Sequence, residues 1–230
     1  MAKNFFTSAI IVAGGSGKRF NSEIPKQFLK LKDKPILAYS IEKFEKSKLI
    51  DEVILVVPGQ FIGFCQKNII AKYCFRKITQ IISGGTTRQA SAYNGLQKVS
   101  KKCNLVLVHD GVRPLVESKE IETVIKLAQK FKAAILAVPV KETVKLVNNN
   151  MIVKTEDRKK FYLAQTPQVF EKTLLSKAFE KAKKDKFVGT DCSSLVERLG
   201  VKVRILEGSE RNIKITTAED FKLAEILMSW

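Results

Sequence analysis

The feature that most constrains this chain is an alternation. Short apolar, β-branched runs recur, separated by longer stretches in which apolar residues return every three or four positions. Runs of the first kind read as strands buried on both faces and stretches of the second as amphipathic helices, so together they predict βαβ units and a largely parallel, two-faced sheet. The expected strands are Ala9–Val12, Val53–Val57, Ile78–Ile82, Leu105–Val108, Ala134–Val138 and Val201–Leu206. The expected helices are Pro35–Lys46, Phe61–Tyr73, Ala90–Lys98, Glu117–Lys130, Lys172–Lys184, Ser193–Leu199 and Ala218–Met228, the last entered through a Thr217 cap with Asp220 three residues on.

One segment breaks the rhythm. From Lys141 to Leu163 two short alternating runs flank Asn148, Asn149 and Asn150, which reads as a hairpin inserted in the α/β frame. A two-stranded ribbon is marginal in water by itself, so a second subunit is one candidate for what it packs on. At 230 residues, without repeats or a linker, the chain reads as one domain, 1–230, with an arm over about 139–163.

Composition narrows the partners. Lys and Arg number 41 against 23 Asp and Glu, a net charge of +18, which fits a nucleic-acid or membrane-surface partner, a pocket for polyanionic small molecules, or a lysine-rich solvated surface. Because 33 of those cations are Lys and only 8 are Arg, the Arg positions are the informative ones. No apolar stretch approaches the roughly 20 residues that cross a bilayer. The apolar N-terminal run dissolves into Gly14, Gly15 and Gly17, so it reads as a first strand rather than a signal peptide. Cys65, Cys74, Cys103 and Cys192 form no C-x-x-C pair, which predicts buried free thiols in a reducing, cytoplasmic setting rather than zinc.

In an open parallel sheet, ligands bind outside the carboxyl ends of the strands. The first strand runs into Ala13-Gly14-Gly15-Ser16-Gly17-Lys18-Arg19-Phe20, followed by Pro25-Lys26-Gln27-Phe28. Glycines admit phosphate oxygens close to backbone N–H groups, and Lys18, Arg19 and Lys26 supply charge. A plain strand-to-helix turn also accounts for the glycines. The loop fits neither a P-loop, since Val12 and Arg19 stand at the required Gly and Ser/Thr positions, nor a dinucleotide fingerprint, which needs Gly at Phe20. The third strand ends in Ser83-Gly84-Gly85-Thr86-Thr87-Arg88-Gln89-Ala90-Ser91 and the fourth in His109-Asp110-Gly111-Val112-Arg113-Pro114. Asp110 suits a divalent metal or a ribose hydroxyl; the lone His109 reads as structural rather than catalytic. Arg19, Arg88, Arg113 and Arg158 fall in these loops or the hairpin, where bidentate phosphate binding would use them.

Seven stretches in order, V-A-G-G-S-G-K-R-F with P-K-Q-F, S-G-G-T-T-R-Q-A-S, H-D-G-V-R-P, P-V-K-E-T-V-K, A-Q-T-P-Q-V-F, T-D-C-S-S-L-V-E and N-I-K-I-T-T-A-E-D, resemble the 2-C-methyl-D-erythritol 4-phosphate cytidylyltransferases. The resemblance implies a single Rossmann-like three-layer α/β domain with a mostly parallel sheet and a protruding β-hairpin arm. It implies transfer of CMP from CTP to methylerythritol phosphate, with Mg²⁺ and release of pyrophosphate, in non-mevalonate isoprenoid synthesis. Arg19 and Lys26 match the pair that stabilises the triphosphate transition state, and Arg158 and Lys214 match residues that position the acceptor. Ala13, Gly14, Gly15, Gly17, Gly85 and Ser91 fall on the nucleotide side. Asp110 falls with the ribose and metal, Arg113 on the substrate side, and Thr143 and Thr166 flank the sugar-phosphate pocket. The arm, with Arg158, is expected to cross a homodimer into the partner's site. Cys192 and Arg211 depart from the acidic residues that many members carry there, and no fused cyclase is expected. A ribitol 5-phosphate cytidylyltransferase and, more remotely, a basic nucleic-acid-binding protein are the alternatives; no recognition motif accompanies the charge, so no specific nucleic acid and no membrane is expected.

Overall fold

A computed structural model describes residues 5–15 and 24–229. In chain order the elements are β1 (Thr7–Val12), β2 (Lys30–Leu31), β3 (Lys34–Pro35), α1 (Ile36–Lys46), β4 (Glu52–Val57), α2 (Ile62–Cys65), β5 (Ile78–Ser83), α3 (Arg88–Leu96), β6 (Leu105–Asp110), α4 (Ser118–Phe131) and β7 (Ala133–Pro139). Then follow β8 (Lys145–Asn148), β9 (Met151–Thr155), β10 (Tyr162–Glu171), α5 (Lys172–Lys184), α6 (Cys192–Glu197), β11 (Arg204–Glu207) and α7 (Ala218–Leu227).

Seven strands form one sheet in the order β11-β7-β10-β6-β1-β4-β5. All run parallel except β10, which pairs antiparallel with both β6 and β7. Successive residues of a strand face opposite sides, and the core follows that period. Ala9, Ile11, Leu105 and Leu107 pack under α1 and α4, while Ile10, Val106 and Val108 pack under α3, α5 and α6. Strands covered on both faces carry no polar alternation, so β1, β4 and β6 are almost uninterrupted apolar runs.

The six expected strands and the helix pattern are present, and α7 opens with the expected cap: Thr217 accepts from the Asp220 N–H, and the Asp220 carboxylate accepts from Thr217 N. Three expectations need correction. The Phe61–Tyr73 stretch is a short α2 that widens into a π-turn over Gln66–Ala71. The hairpin is confined to β8 and β9, and Tyr162 and Leu163, assigned to the arm, begin β10. Strand β10 is not among the expected strands, because Gln165, Thr166, Pro167 and Gln168 interrupt its apolar pattern and proline argues against a central strand. The ladder accommodates them by a register shift between Ala164 and Gln168, around a cis Thr166–Pro167 bond. Running antiparallel, β10 delivers its first half to the edge where its neighbours end. That puts Thr166 beside Asp110.

Candidate active site

At the carboxyl edge a cavity of about 510 Å³ is lined by Ala13, Gly14, Gly15, Lys26, Gly85, Ser91, Asp110 and Lys214, all expected at the site. A second cavity, about 100 Å³, adjoins it and is lined by Arg113 and Thr166. Arg88, Asp110 and Lys214 line both, so they form the boundary between the two spaces.

The glycine loops are shaped from within. Gln27, almost fully buried, donates through Nε2 to the carbonyls of Ala13 (2.7 Å) and Gly15 (3.0 Å), tying the loop after β1 to the segment that carries Lys26. The Ser91 hydroxyl accepts from Gly85 N at 3.0 Å and donates to the Thr87 carbonyl at 2.9 Å, holding the loop after β5 against α3. Helix α3 begins where the Thr87 side chain accepts from Ala90 N, and its first residue is Arg88.

Asp110 is the electrostatic centre. Its Oδ1 accepts from Arg88 Nε at 2.8 Å and its Oδ2 from Lys214 Nζ at 2.8 Å, with Arg113 Nε at 4.0 Å. Burial disfavours the carboxylate, but Arg88, Lys214 and Arg113 outweigh it and hold Asp110 well below the usual carboxylate range. The two arginines respond differently. Burial disfavours the charge of each, but Asp110 more than compensates Arg88, whereas Arg113, farther away, is left with a lowered pKa. Three cations around one anion leave a local excess of positive charge. Arg88 Nη2 and Arg113 Nε, both buried, have no hydrogen-bond partner among the described residues. Spare cationic donors at a boundary between two cavities suit anionic oxygens.

Other expected residues lie elsewhere. Arg158 is exposed and donates through Nη1 to the Lys141 carbonyl at 2.7 Å, and Thr143 is exposed beside it, both at the base of the hairpin. Neither is among the described residues that line these two cavities. Gly17 and Arg19 lie outside the described residues. The two departures from the resemblance have local roles. Arg211 donates to the Leu227 carbonyl at the end of α7 (2.6 Å). Cys192 sits buried with its Sγ 3.9 Å from Arg88 Nη1; burial pushes its thiol up to about 11, so it remains protonated. All four cysteines are free.

Two contributors were not legible beforehand. The sequence reading marks Arg88 only as one of four loop arginines suited to phosphate, not as a partner of Asp110, and it gives Gln27 no part in the site. Position one after a strand-end glycine loop was the available signal for Arg88; Gln27 offered none beyond its neighbour Lys26.

A glycine-lined, cation-rich cleft outside the carboxyl ends of an open α/β sheet defines the class of doubly wound enzymes that handle phosphorylated ligands. Comparison with known proteins places the chain within it. The family profile "2-C-methyl-D-erythritol 4-phosphate cytidylyltransferase" matches residues 7–229. The protein of that name from Caldanaerobacter subterraneus subsp. tengcongensis is 46% identical over 222 residues, covering 96% of this chain and 98% of that one. The one from Clostridioides difficile is 45% identical, covering 96% and 93%. The crystal structure of 4-diphosphocytidyl-2C-methyl-D-erythritol synthase from Anaerococcus prevotii superimposes with a TM-score of 0.86 at 34% identity, covering 99% and 100%. This chain belongs to the 2-C-methyl-D-erythritol 4-phosphate cytidylyltransferase family.

Proposed function

We propose that this protein transfers the cytidylyl group of CTP to 2-C-methyl-D-erythritol 4-phosphate, forming 4-diphosphocytidyl-2-C-methyl-D-erythritol and pyrophosphate. The observation that carries the reading, beside family membership, is the boundary cluster. Arg88, Lys214 and Arg113 gather at Asp110 between a cavity large enough for a nucleotide and a smaller one suited to a phosphate.

The acceptor's phosphate monoester is already largely a dianion near neutral pH, its second pKa being about 6, so no general base is required. An acceptor oxygen forms a bond to the α-phosphorus as the bond from that phosphorus to the bridging oxygen of pyrophosphate breaks. The difficulty is charge: a dianion must approach a triphosphate in line. Lys26 from the large cavity and Arg19 are assigned to the triphosphate and the charge gathering in the transition state. Lys214 is assigned to the incoming phosphate, with Arg158 supplied by the arm of a second subunit. Preorganised cations of this kind act by positioning and neutralisation.

A divalent ion fits this reading as the companion of the triphosphate, where it would neutralise phosphate charge, rather than as an ion held by the protein. Asp110 has both oxygens engaged by cationic side chains, and the described residues contain no cluster of three His, Cys, Asp or Glu able to hold a metal. The homodimer is supported by the hairpin, whose Leu146, Val147, Met151, Ile152 and Val153 are all more than half exposed. A cytoplasmic location is in keeping with the four free thiols.

Pyrophosphate release measured with CTP and either methylerythritol phosphate or ribitol 5-phosphate tests the assignment. Turnover dependent on methylerythritol phosphate is the expected result. Preference for ribitol 5-phosphate, or none for either, overturns it.

A further inference from the structure

His109, the chain's single histidine, lies at the end of β6 with no exposed surface. Its ring packs against Phe44 with centroids 4.7 Å apart and the planes tilted by 50°. Nε2 lies 3.2 Å from the Arg113 carbonyl and Nδ1 lies 3.1 Å from Thr166 Oγ1. A carbonyl only accepts, so Nε2 carries the proton. Nδ1 of the neutral ring is then an acceptor, and the Thr166 hydroxyl donates to it. With its proton so directed, Thr166 Oγ1 turns a lone pair to the Asp110 N–H, 3.0 Å away.

We propose that His109 and Thr166 are positioning residues of the transfer reaction: the ring fixes the hydroxyl, and the hydroxyl fixes the strand tip from which the Asp110 carboxylate gathers Arg88 and Lys214. The inference rests on the cytidylyl-transfer reading for its activity readout only. It gives Thr166 a different task from the one implied by resemblance. Thr166 borders the smaller cavity, but at 3% exposure, with its hydroxyl donating to His109 and accepting from Asp110 N, it has no hydroxyl proton left for a substrate, and we assign its effect to the placement of Asp110.

The arrangement closes on itself. Arg113, whose carbonyl receives the His109 N–H, donates through Nη1 to the Asn212 carbonyl at 2.6 Å. Asn212 Nδ2 donates in turn to the Thr166 carbonyl at 3.0 Å and to Gln165 Oε1 at 3.2 Å. The ring therefore spans the ends of β6 and β10 and the loop that carries Lys214 two residues after Asn212. Arg113 Nε and Asn212 Oδ1 find no partner among the described residues, but the remaining buried links tie the three segments to one geometry, which is what a site that works by positioning needs.

Having one histidine makes the test direct. In ¹⁵N-histidine-labelled wild type without substrate, the ring should show a pyrrole-type Nε2 and a pyridine-type Nδ1, and Thr166→Val should move the Nδ1 resonance. In the pyrophosphate assay Thr166→Val should lose tenfold or more in kcat with little change in KM for CTP, and Thr166→Ser should restore both the resonance and the turnover. A proton on Nδ1 in the wild type, or Thr166→Val turning over within twofold of wild type, overturns the proposal. The resonance measurement needs no substrate, so it separates failure of this assignment from failure of the proposed acceptor.

Discussion

Lys214 and Asp110, 104 residues apart in sequence, meet at 2.8 Å between Nζ and Oδ2, and theirs is the contact in the Asp110 cluster with most freedom to exchange. The Arg88 and Arg113 side chains are largely buried, at 24% and 11% exposure, whereas that of Lys214 is 39% exposed on a flexible stem. Lysine is thus the cation best placed to follow a phosphate.

Replacing either of the two lysines in the large cavity should separate their roles. Lys26→Ala should lower kcat about 100-fold, the scale for losing one preorganised electrostatic donor. Lys214→Ala should weaken acceptor binding as well as turnover. Steady-state kinetics with each substrate varied in turn measures both, and near-normal turnover of Lys26→Ala would remove it from the mechanism.

Acid stability should bear the mark of His109. Burial pushes its pKa down from 6.5 to about 3, so between those values the unfolded chain binds one proton more than the folded one. Stability should therefore be insensitive to this group above pH 6.5 and decline as pH falls below it, at up to about 1.4 kcal/mol per unit. Asp110, whose folded pKa is depressed, adds a further loss only below about pH 4. Urea midpoints at half-unit steps from pH 7.5 to 4.5 would show the slope, and His109→Phe, if it folds, should flatten it.

The hairpin should govern assembly. Val147→Glu with Ile152→Glu places charge on a ribbon whose apolar residues are exposed in one chain, and sedimentation should show a shift from dimer to monomer. Turnover should fall with it, because Arg158 sits at the base of the hairpin and is not among the described residues lining the two cavities at Asp110. A fully active monomer would sink the shared-site reading.

Helix α3 is seated by a missing side chain. A Cβ on Gly95 would overlap Ile10 Cγ2 and lie 3.3 Å from Val56 Cγ2, so Gly95→Ala must lift the helix off β1 and β4. A cost of about 1–3 kcal/mol is expected from such overpacking, read as a lowered denaturation midpoint. Because α3 opens with Arg88, activity should fall in parallel.

The +18 charge leaves a kinetic expectation. If the surplus lysines attract anionic substrates, kcat/KM should drop as ionic strength rises, with kcat itself little changed. A flat profile would reduce the surplus to surface composition.

What the sequence determined by itself is whatever local periodicity and short-range chemistry encode. Strands buried on both faces must be apolar throughout, helices on a sheet must be apolar on one side, and a cap such as Thr217 with Asp220 is closed within four residues. Those rules placed the frame, and the glycine loops at the ends of β1 and β5 marked the binding edge. Strand β10 obeys none of them. Its Gln165, Thr166 and Gln168 are buried polar groups whose partners, Ser209, His109 and Asp191, lie far away in the chain, so only the assembled fold satisfies them. The insertion of β10 between β6 and β7, and with it the meeting of Thr166, Asp110, Arg88 and Lys214, was decided by tertiary structure. Convergence of polar and charged groups from four separate segments leaves no periodic trace, because each residue is ordinary in its own neighbourhood and acquires its role only from the others.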